Sequence, residues 1–188
     1  MRKGERTVTI GGGILRGRVL RYPSDDRLRP SMQRTKSSVF SSLAPWLEGA
    51  VFVDLYAGAG AVGIEALSRG AAFVHFVERD RVALDALREN LKRCGIEASR
   101  FRVHAATVAE MLVTRPHPIP DAKIVFADPP YDADVNDDLI GRFDALSMPA
   151  LSWLVIEHRT RVVIEAPRGM SLQRDRQFGE TTLSYFQK

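Results

Sequence analysis

The sequence predicts an α/β fold: a mainly parallel, doubly wound sheet with helices on both faces and an antiparallel hairpin at its C-terminal end. Three observations carry this expectation. From residue 51 onward, short apolar runs alternate with stretches whose apolar residues recur at helical spacing. A glycine turn, Gly58-Ala59-Gly60-Ala61-Val62-Gly63, joins the first run to the first such stretch. Near the end, β-prone runs at 174–178 and 181–186 flank Gly179-Glu180, a pair suited to a tight hairpin turn.

Taken in order, residues 7–10 and 14–20 are β-prone runs around Gly11-Gly12-Gly13 and read as a small hairpin bearing Arg16, Arg18 and Arg21. Residues 21–30 are polar, contain two prolines and read as a linker. Ser31 is placed to cap a helix in which Val39, Phe40, Leu43 and Leu47 share one face, with Pro45 bending or ending it near its last turn. Strands are expected at 51–55, 72–77, 101–104, 123–127 and 153–157. Helices are expected at 61–69, 80–94 and 107–113, and around Val135, Leu139, Ile140 and Phe143. In the 80–94 helix Leu84, Leu87 and Leu91 face inward and Gly95 is the stop. A proline-rich linker covers 116–121.

The 188 residues are 45% hydrophobic, 27% charged and 8% aromatic, enough for one domain with a real core and unlike disordered, collagenous or coiled-coil chains. The net charge is +4, but residues 1–36 hold ten basic residues against three acids, which is +7 and leaves −3 on the rest. Such a segment reads either as a docking face for a polyanion or as a solvated arginine-rich edge. Arg16, Arg18, Arg21, Arg29, Arg34 and Lys36 are the candidate contacts. Cys94 is the only cysteine, so no intrachain disulfide is possible. The N-terminus lacks the apolar run of a signal peptide, and no stretch reaches the roughly 18 apolar residues of a membrane span, so a cytoplasmic protein is expected. His75, His104, His117 and His158 have no metal-ligand spacing, and no metal is expected.

In an open α/β sheet, ligands bind beyond the carboxyl ends of the strands. Three such ends are informative here. At the first, Gly58, Gly60 and Gly63 spell GxGxxG after Asp54-Leu55-Tyr56, where missing β-carbons and free helix N–H groups admit a nucleotide-like ligand. At the second, Glu78 lies 20 residues after Gly58 and can accept hydroxyls of a ribose, or simply pair with Arg79 or Arg81. Both nicotinamide and S-adenosylmethionine sites use that combination.

The third end separates them. The apolar run Ile124-Val125-Phe126-Ala127 enters Asp128-Pro129-Pro130-Tyr131. Two prolines fix a rigid turn that presents the Asp128 carboxylate and the Pro129 carbonyl as two acceptors. They match the two hydrogens of an exocyclic base amine. Accepting both localises the nitrogen lone pair for attack on a methyl sulfonium, and Asp128 can take up the released proton. Tyr131 is placed to stack on a base that is unpaired or flipped out.

These residues resemble the amino-methyltransferases with an Asp-Pro-Pro-Tyr motif. More narrowly, the chain resembles the bacterial 16S ribosomal RNA guanine-N2 methyltransferase family, small-subunit methyltransferase D. The resemblance runs through Gly17-Arg18-Val19-Leu20, Leu28-Arg29-Pro30-Ser31, Val53-Asp54-Leu55-Tyr56-Ala57-Gly58-Ala59-Gly60, the stretch Gly63-Ile64-Glu65-Ala66-Leu67-Ser68-Arg69-Gly70-Ala71, Val77-Glu78, the proline motif and Phe178-Gly179-Glu180-Thr181-Thr182. It implies a Rossmann-like class I methyltransferase domain at 31–188 preceded by a basic RNA-docking hairpin extension at 1–30. It also implies S-adenosyl-L-methionine as donor, S-adenosyl-L-homocysteine as product, and 16S rRNA of the small ribosomal subunit as substrate for a monomer. Asp54, Tyr56, Gly58, Gly60, Glu78 and Thr107 become donor contacts, with Thr107 beside adenine. Asp128, Pro129, Pro130 and Tyr131 become the catalytic set. Ser37 departs from the family, which usually carries an acid there.

Other readings are open at this stage. A dehydrogenase would explain the glycine turn and Glu78 but not the proline motif. Adenine-N6 transfer in DNA or transfer to another RNA would use the same motif. Cytosine-C5 transfer needs a thiolate, and Cys94 before Gly95 reads better as a buried helix-end residue. A non-catalytic RNA-binding module would use the arginines and leave both motifs idle. Trp46 and Trp153 read as packing residues, and Glu65 as a residue supporting the helix after the glycine turn.

Overall fold

The computed structural model describes residues 6–23, 32–113, 121–130, 139–144 and 148–188. Arg29, Ser31, His117, Tyr131, Val135 and most of the proline-rich linker lie outside the described residues.

The chain forms β1 (Arg6–Thr9), β2 (Val19–Tyr22), α1 (Met32–Leu47), β3 (Val51–Leu55), α2 (Ala61–Ser68), β4 (Phe73–Glu78), α3 (Arg81–Arg93), β5 (Phe101–Ala105), α4 (Val108–Val113) and β6 (Ile124–Ala127). It continues through α5 (Gly141–Asp144), β7 (Trp153–Arg159), β8 (Ser171–Phe178) and β9 (Thr181–Gln187). Strands β3 to β9 make a seven-stranded sheet in the order β5-β4-β3-β6-β7-β9-β8. Strands β3 to β7 are parallel to one another, and β9 runs antiparallel to both β7 and β8. The chain steps outward from β3 to β5, then returns across β3 to lay down β6. That reversal opens a crevice between the ends of β3 and β6, where open α/β sheets bind ligands.

The central strands are buried on both faces, as their unbroken apolar runs require. One face packs against the hairpin, α1, α2 and α3 through residues such as Leu20, Phe40, Ile64, Phe76 and Leu87. The other packs against α4 and α5 through Val53, Val77, Met111, Val125 and Phe143. The stripe Leu84, Leu87 and Leu91 of α3 is buried as its spacing demands, and Asp80 caps the helix by accepting from the Ala83 amide at 2.9 Å. Val39, Phe40, Leu43 and Leu47 of α1 are all buried, and Pro45 lies within the last turn. Cys94 is the buried C-cap of α3. Among the described residues no helix is long and apolar enough to cross a membrane.

The N-terminal hairpin corrects one expectation. Its second strand starts at Val19, not at residue 14. Ile14 and Leu15 are β-prone, but their amides donate to the Ser68 carbonyl at 2.8 Å and the Ser68 hydroxyl at 2.9 Å, so α2 holds them in a loop. At Gly13 (φ 78°) a β-carbon would lie 1.8 Å from the Ser68 carbonyl oxygen, and only glycine permits that approach. The expected linker also starts later, since Arg21 and Tyr22 belong to β2.

Candidate active site

The ends of β3, β4 and β6 bring three carboxylates around the glycine turn. Asp54, the penultimate residue of β3, is buried and accepts the Gly63 amide at 2.8 Å. Tyr56 follows with φ 60°, the one described non-glycine residue in the left-handed region, and turns the chain sharply toward the glycines. The Ala57 amide then donates to the Val77 carbonyl at 3.0 Å, which pins the turn to β4. Glu78 closes β4. Its Oε2 accepts the Gly58 amide at 2.8 Å, and its Oε1 accepts the amides of Arg79 and Asp80, each at 2.8 Å. Two donors on Oε1 and one on Oε2 leave Oε2 with acceptor capacity toward the crevice.

The three glycines of the motif serve different ends. A β-carbon at Gly63 would sit 2.2 Å from the Phe76 ring, and one at Gly60 would sit 2.3 Å from Leu87, so these two let α2 approach β4 and α3. At Gly58 (φ 55°) nothing lies within 4 Å of the same position. That open side is where a ligand can lie against the backbone.

Asp128 emerges from β6 directly beside the turn. Leu55 and Ala127 are register partners, and the Asp128 amide faces the Leu55 carbonyl at 3.4 Å. Pro129 is buried and Pro130 exposed, so the two-proline corner has one side in the body and one at the rim. Burial, followed by the charges of Asp128 and Glu78, raises the Asp54 carboxyl well above the usual carboxylate range, with the Gly63 amide opposing. Three acidic side chains, Asp54, Glu78 and Asp128, thus stand at the carboxyl ends of neighbouring strands around the glycine turn.

The candidate residues distribute unevenly. Asp54, Tyr56, Gly58, Gly60, Glu78, Asp128, Pro129 and Pro130 all belong to this end of the sheet, whereas Tyr131 lies outside the described residues. Thr107 is the N-cap of α4: its hydroxyl accepts the Glu110 amide at 3.0 Å and its own amide donates to the Glu110 carboxylate at 2.8 Å, a reciprocal capping box, while the hydroxyl also donates to that carboxylate at 2.8 Å. Arg16, Arg18, Arg21 and Arg34 are exposed. Lys36 is a correction. It is buried, forms an ion pair with Glu65 at 2.7 Å and donates to the Thr9 carbonyl at 2.8 Å, so its ammonium is not offered to a phosphate. Among the described residues no group of three or more His, Cys, Asp or Glu side chains could hold a metal ion.

Among the buried residues with polar groups that no motif assigns, Asn90 and Tyr22 pack in the core that holds the glycine turn. Asn90 donates to the Arg21 carbonyl at 2.9 Å and the Ala59 carbonyl at 3.0 Å, and accepts the Arg21 amide at 2.9 Å, so it ties β2 to the glycine turn. Its signal was a polar residue on the stripe of Ala83, Leu84, Leu87 and Leu91. Tyr22 is the buried end of β2, and its signal was weak: one aromatic residue before a proline.

Residues 8–187 match the family model described as "Conserved hypothetical protein 95". Ribosomal RNA small subunit methyltransferase D of Escherichia coli K12 is 31% identical over 194 residues, covering 98% of this chain and 92% of the relative. The chain belongs to this methyltransferase D family. The protein of the same name from Haemophilus influenzae is 33% identical over 138 residues, covering 73% of this chain and 70% of its own. A solved structure described as a putative methyltransferase, yhhF from Escherichia coli, superposes with a TM-score of 0.83 at 31% identity, over 97% of this chain and 98% of the other. The Rossmann-like architecture of the methyltransferase D family is thus the architecture found here.

Proposed function

We propose that this protein transfers a methyl group from S-adenosyl-L-methionine to the exocyclic N2 of a guanine in 16S rRNA. The observation that supports this most directly is the adjacency of Asp128-Pro129-Pro130 to the glycine turn, across the Leu55–Ala127 register pair. The names of the relatives support an rRNA substrate.

The open flank of Gly58 fits a donor lying on the turn, and the spare acceptor capacity of Glu78 Oε2 fits a ribose hydroxyl. Asp54 holds the turn through Gly63 and orients it toward the donor, while Tyr56 and Gly60 shape the same loop. Thr107 stands beside the adenine by its position after β5, its hydroxyl being engaged in capping. When bound, S-adenosyl-L-methionine supplies an electrophilic methyl group on a sulfonium and leaves as S-adenosyl-L-homocysteine. Asp128 and the Pro129 carbonyl accept the two hydrogens of the guanine amine, which localises its lone pair on nitrogen. Pro130 makes the corner rigid and Tyr131 stacks on the base. As the N–C bond forms, Asp128 receives the proton the nitrogen releases. Arg16, Arg18, Arg21 and Arg29 of the N-terminal extension, with Arg34 of α1, dock the RNA through its phosphates.

The test uses small ribosomal subunits from a bacterial strain lacking its methyltransferase D, incubated with the protein and methyl-labelled donor. Label mapping to an N2-methylguanine of 16S rRNA is the expected result. Label absent from rRNA but present in duplex DNA would overturn the reading in favour of adenine-N6 transfer.

A further inference from the structure

Asn90 of α3 is fully buried, and its side-chain amide is divided between two parts of the molecule that the reaction uses separately. On one side it meets β2. The Arg21 amide donates to Oδ1 at 2.9 Å and Nδ2 donates to the Arg21 carbonyl at 2.9 Å, so both backbone groups of that residue lie on one side chain. On the other side Nδ2 donates to the Ala59 carbonyl at 3.0 Å, in the glycine turn. An amide has two N–H hydrogens, and these two carbonyls use both.

The two ends belong to different surfaces. Burial alternates along β2, with Leu20 and Tyr22 inward and Val19 and Arg21 outward, so the residue that Asn90 brackets is one that faces solvent with an arginine. At the other end, the Ala59 carbonyl belongs to the peptide between Ala59 and Gly60, and the Gly60 amide of that same peptide donates to the Ala57 carbonyl at 2.8 Å. The peptide plane is therefore pinned from both sides, one of them by Asn90. Gly58, just before it, has the open flank that fits a donor, and its own amide is held by Glu78 at 2.8 Å. Leaving any of these buried groups unmatched is costly. A phosphate backbone pulling on β2 and a donor pressing on the turn thus act on one set of three hydrogen bonds. Whichever binds first orders that set, and the second then has less to order.

We propose that Asn90 is a positioning residue that couples RNA docking to donor binding: it fixes β2 against the glycine turn, so that RNA and S-adenosyl-L-methionine each bind more tightly when the other is in place. This inference rests on the proposed donor and RNA sites, and the experiment separates the two.

Affinity for a small-subunit rRNA fragment is measured by fluorescence anisotropy with and without saturating S-adenosyl-L-homocysteine, for wild type, Asn90→Ala and Leu91→Val. Asn90→Ser, which leaves room for water at the stranded backbone groups, is the replacement if Ala does not fold. Leu91→Val trims a buried side chain of the same helix that is not part of the bridge, and so controls for a loosened core. Wild type is expected to bind the fragment about 5-fold or more tightly with the product bound, Leu91→Val to keep that factor, and the Asn90 variant to bring it to about 1. An undiminished factor in the Asn90 variant overturns the inference. So does a factor of about 1 in wild type, or an equal loss of coupling in Leu91→Val, which would make Asn90 a packing residue only. Failure of wild type to bind the rRNA fragment or the product at all would instead overturn the proposed function.

Discussion

Glu65 and Lys36 form an ion pair of 2.7 Å whose side chains are 0% and 1% exposed. The pair is the centre of a larger anchor. Glu65 also accepts the Gly11 amide at 3.0 Å and the Arg69 guanidinium at 2.9 and 2.7 Å, while Lys36 reaches back to the Thr9 carbonyl. Burial lowers the Lys36 ammonium and the Glu65 carboxylate pulls it back up. The basic hairpin, α1 and the helix behind the glycine turn are therefore joined through one buried carboxylate.

The first prediction tests that anchor. Replacing one partner of a buried pair leaves the other charge uncompensated, at a cost of about 3–5 kcal/mol. Glu65→Ala is expected to lower the unfolding free energy by roughly that amount, because it strands Lys36 and the Gly11 amide together. Arg69→Ala, at a partly exposed position, should cost much less. Urea denaturation followed by circular dichroism measures both, and equal small losses would show that the pair is not an anchor.

The second concerns the motif glycines. Gly58→Ala places a methyl group in open space at φ 55°, so stability should fall by only about 1–2 kcal/mol. Donor affinity should fall at least 10-fold, an order-of-magnitude figure, because the methyl occupies the ligand's side of the turn. Gly63→Ala drives the same atom into Phe76, so it should damage folding first. Thermal unfolding and calorimetric titration with S-adenosyl-L-homocysteine separate the two; a Gly58→Ala protein with unchanged affinity would remove the turn from the donor site.

Much of this arrangement was legible in the sequence, for a local reason. The strand and helix limits from β3 to α4 agree with periodicity to within a residue or two, since the apolar runs of β3 and β4 and the inward stripes of the helices are buried where they stand, β5 being the half-exposed edge. The hairpin was less legible because Ile14 and Leu15 follow bonds to Ser68, more than fifty residues away, rather than their own β preference. Lys36 resembled its arginine neighbours until the fold brought Glu65 against it. Asn90 and Tyr22 act through tertiary contacts that no spacing rule encodes. Asp128 was readable as a strand-end residue because the apolar run before it is buried as β6.

A third prediction follows from Asp54. Its carboxyl is raised by burial above its value in the unfolded chain, so the folded protein binds this proton more tightly. The stabilising contribution is complete in acid, below the usual carboxylate range, and is lost as pH rises through the raised folded value. Asp54→Asn keeps an acceptor oxygen for the Gly63 amide and removes the charge. The melting temperature of the ligand-free variant minus that of wild type should therefore become more positive from about pH 5 to about pH 8. Its donor affinity at the upper pH should fall, because a neutral side chain holds the Gly63 amide, and with it the turn toward the donor, less firmly than the carboxylate does. A difference in melting temperature independent of pH would show that Asp54 does not titrate in this range.

The fourth prediction separates the hairpin's surface arginines from its buried lysine. Arg16, Arg18 and Arg21 are exposed on the hairpin, while Lys36 is enclosed beneath it. If the three arginines hold RNA phosphates, each contact displaces counterions and steepens the fall of affinity with salt, by about 0.7–0.9 in logarithmic slope. Replacing all three by alanine should flatten that slope by about 2 to 3 and weaken binding to every RNA sequence alike, since phosphates carry no base identity. Stability should hardly change, because none of the three is part of the core. Lys36→Met should behave in the opposite way, with lowered stability and, in the fraction that stays folded, an unaltered salt slope. Fluorescence anisotropy with a small-subunit rRNA fragment over a range of potassium chloride concentrations measures both slopes. An unchanged slope in the triple variant would move the docking face away from the hairpin, and a flattened slope in Lys36→Met would mean that RNA binding opens the Glu65 pair.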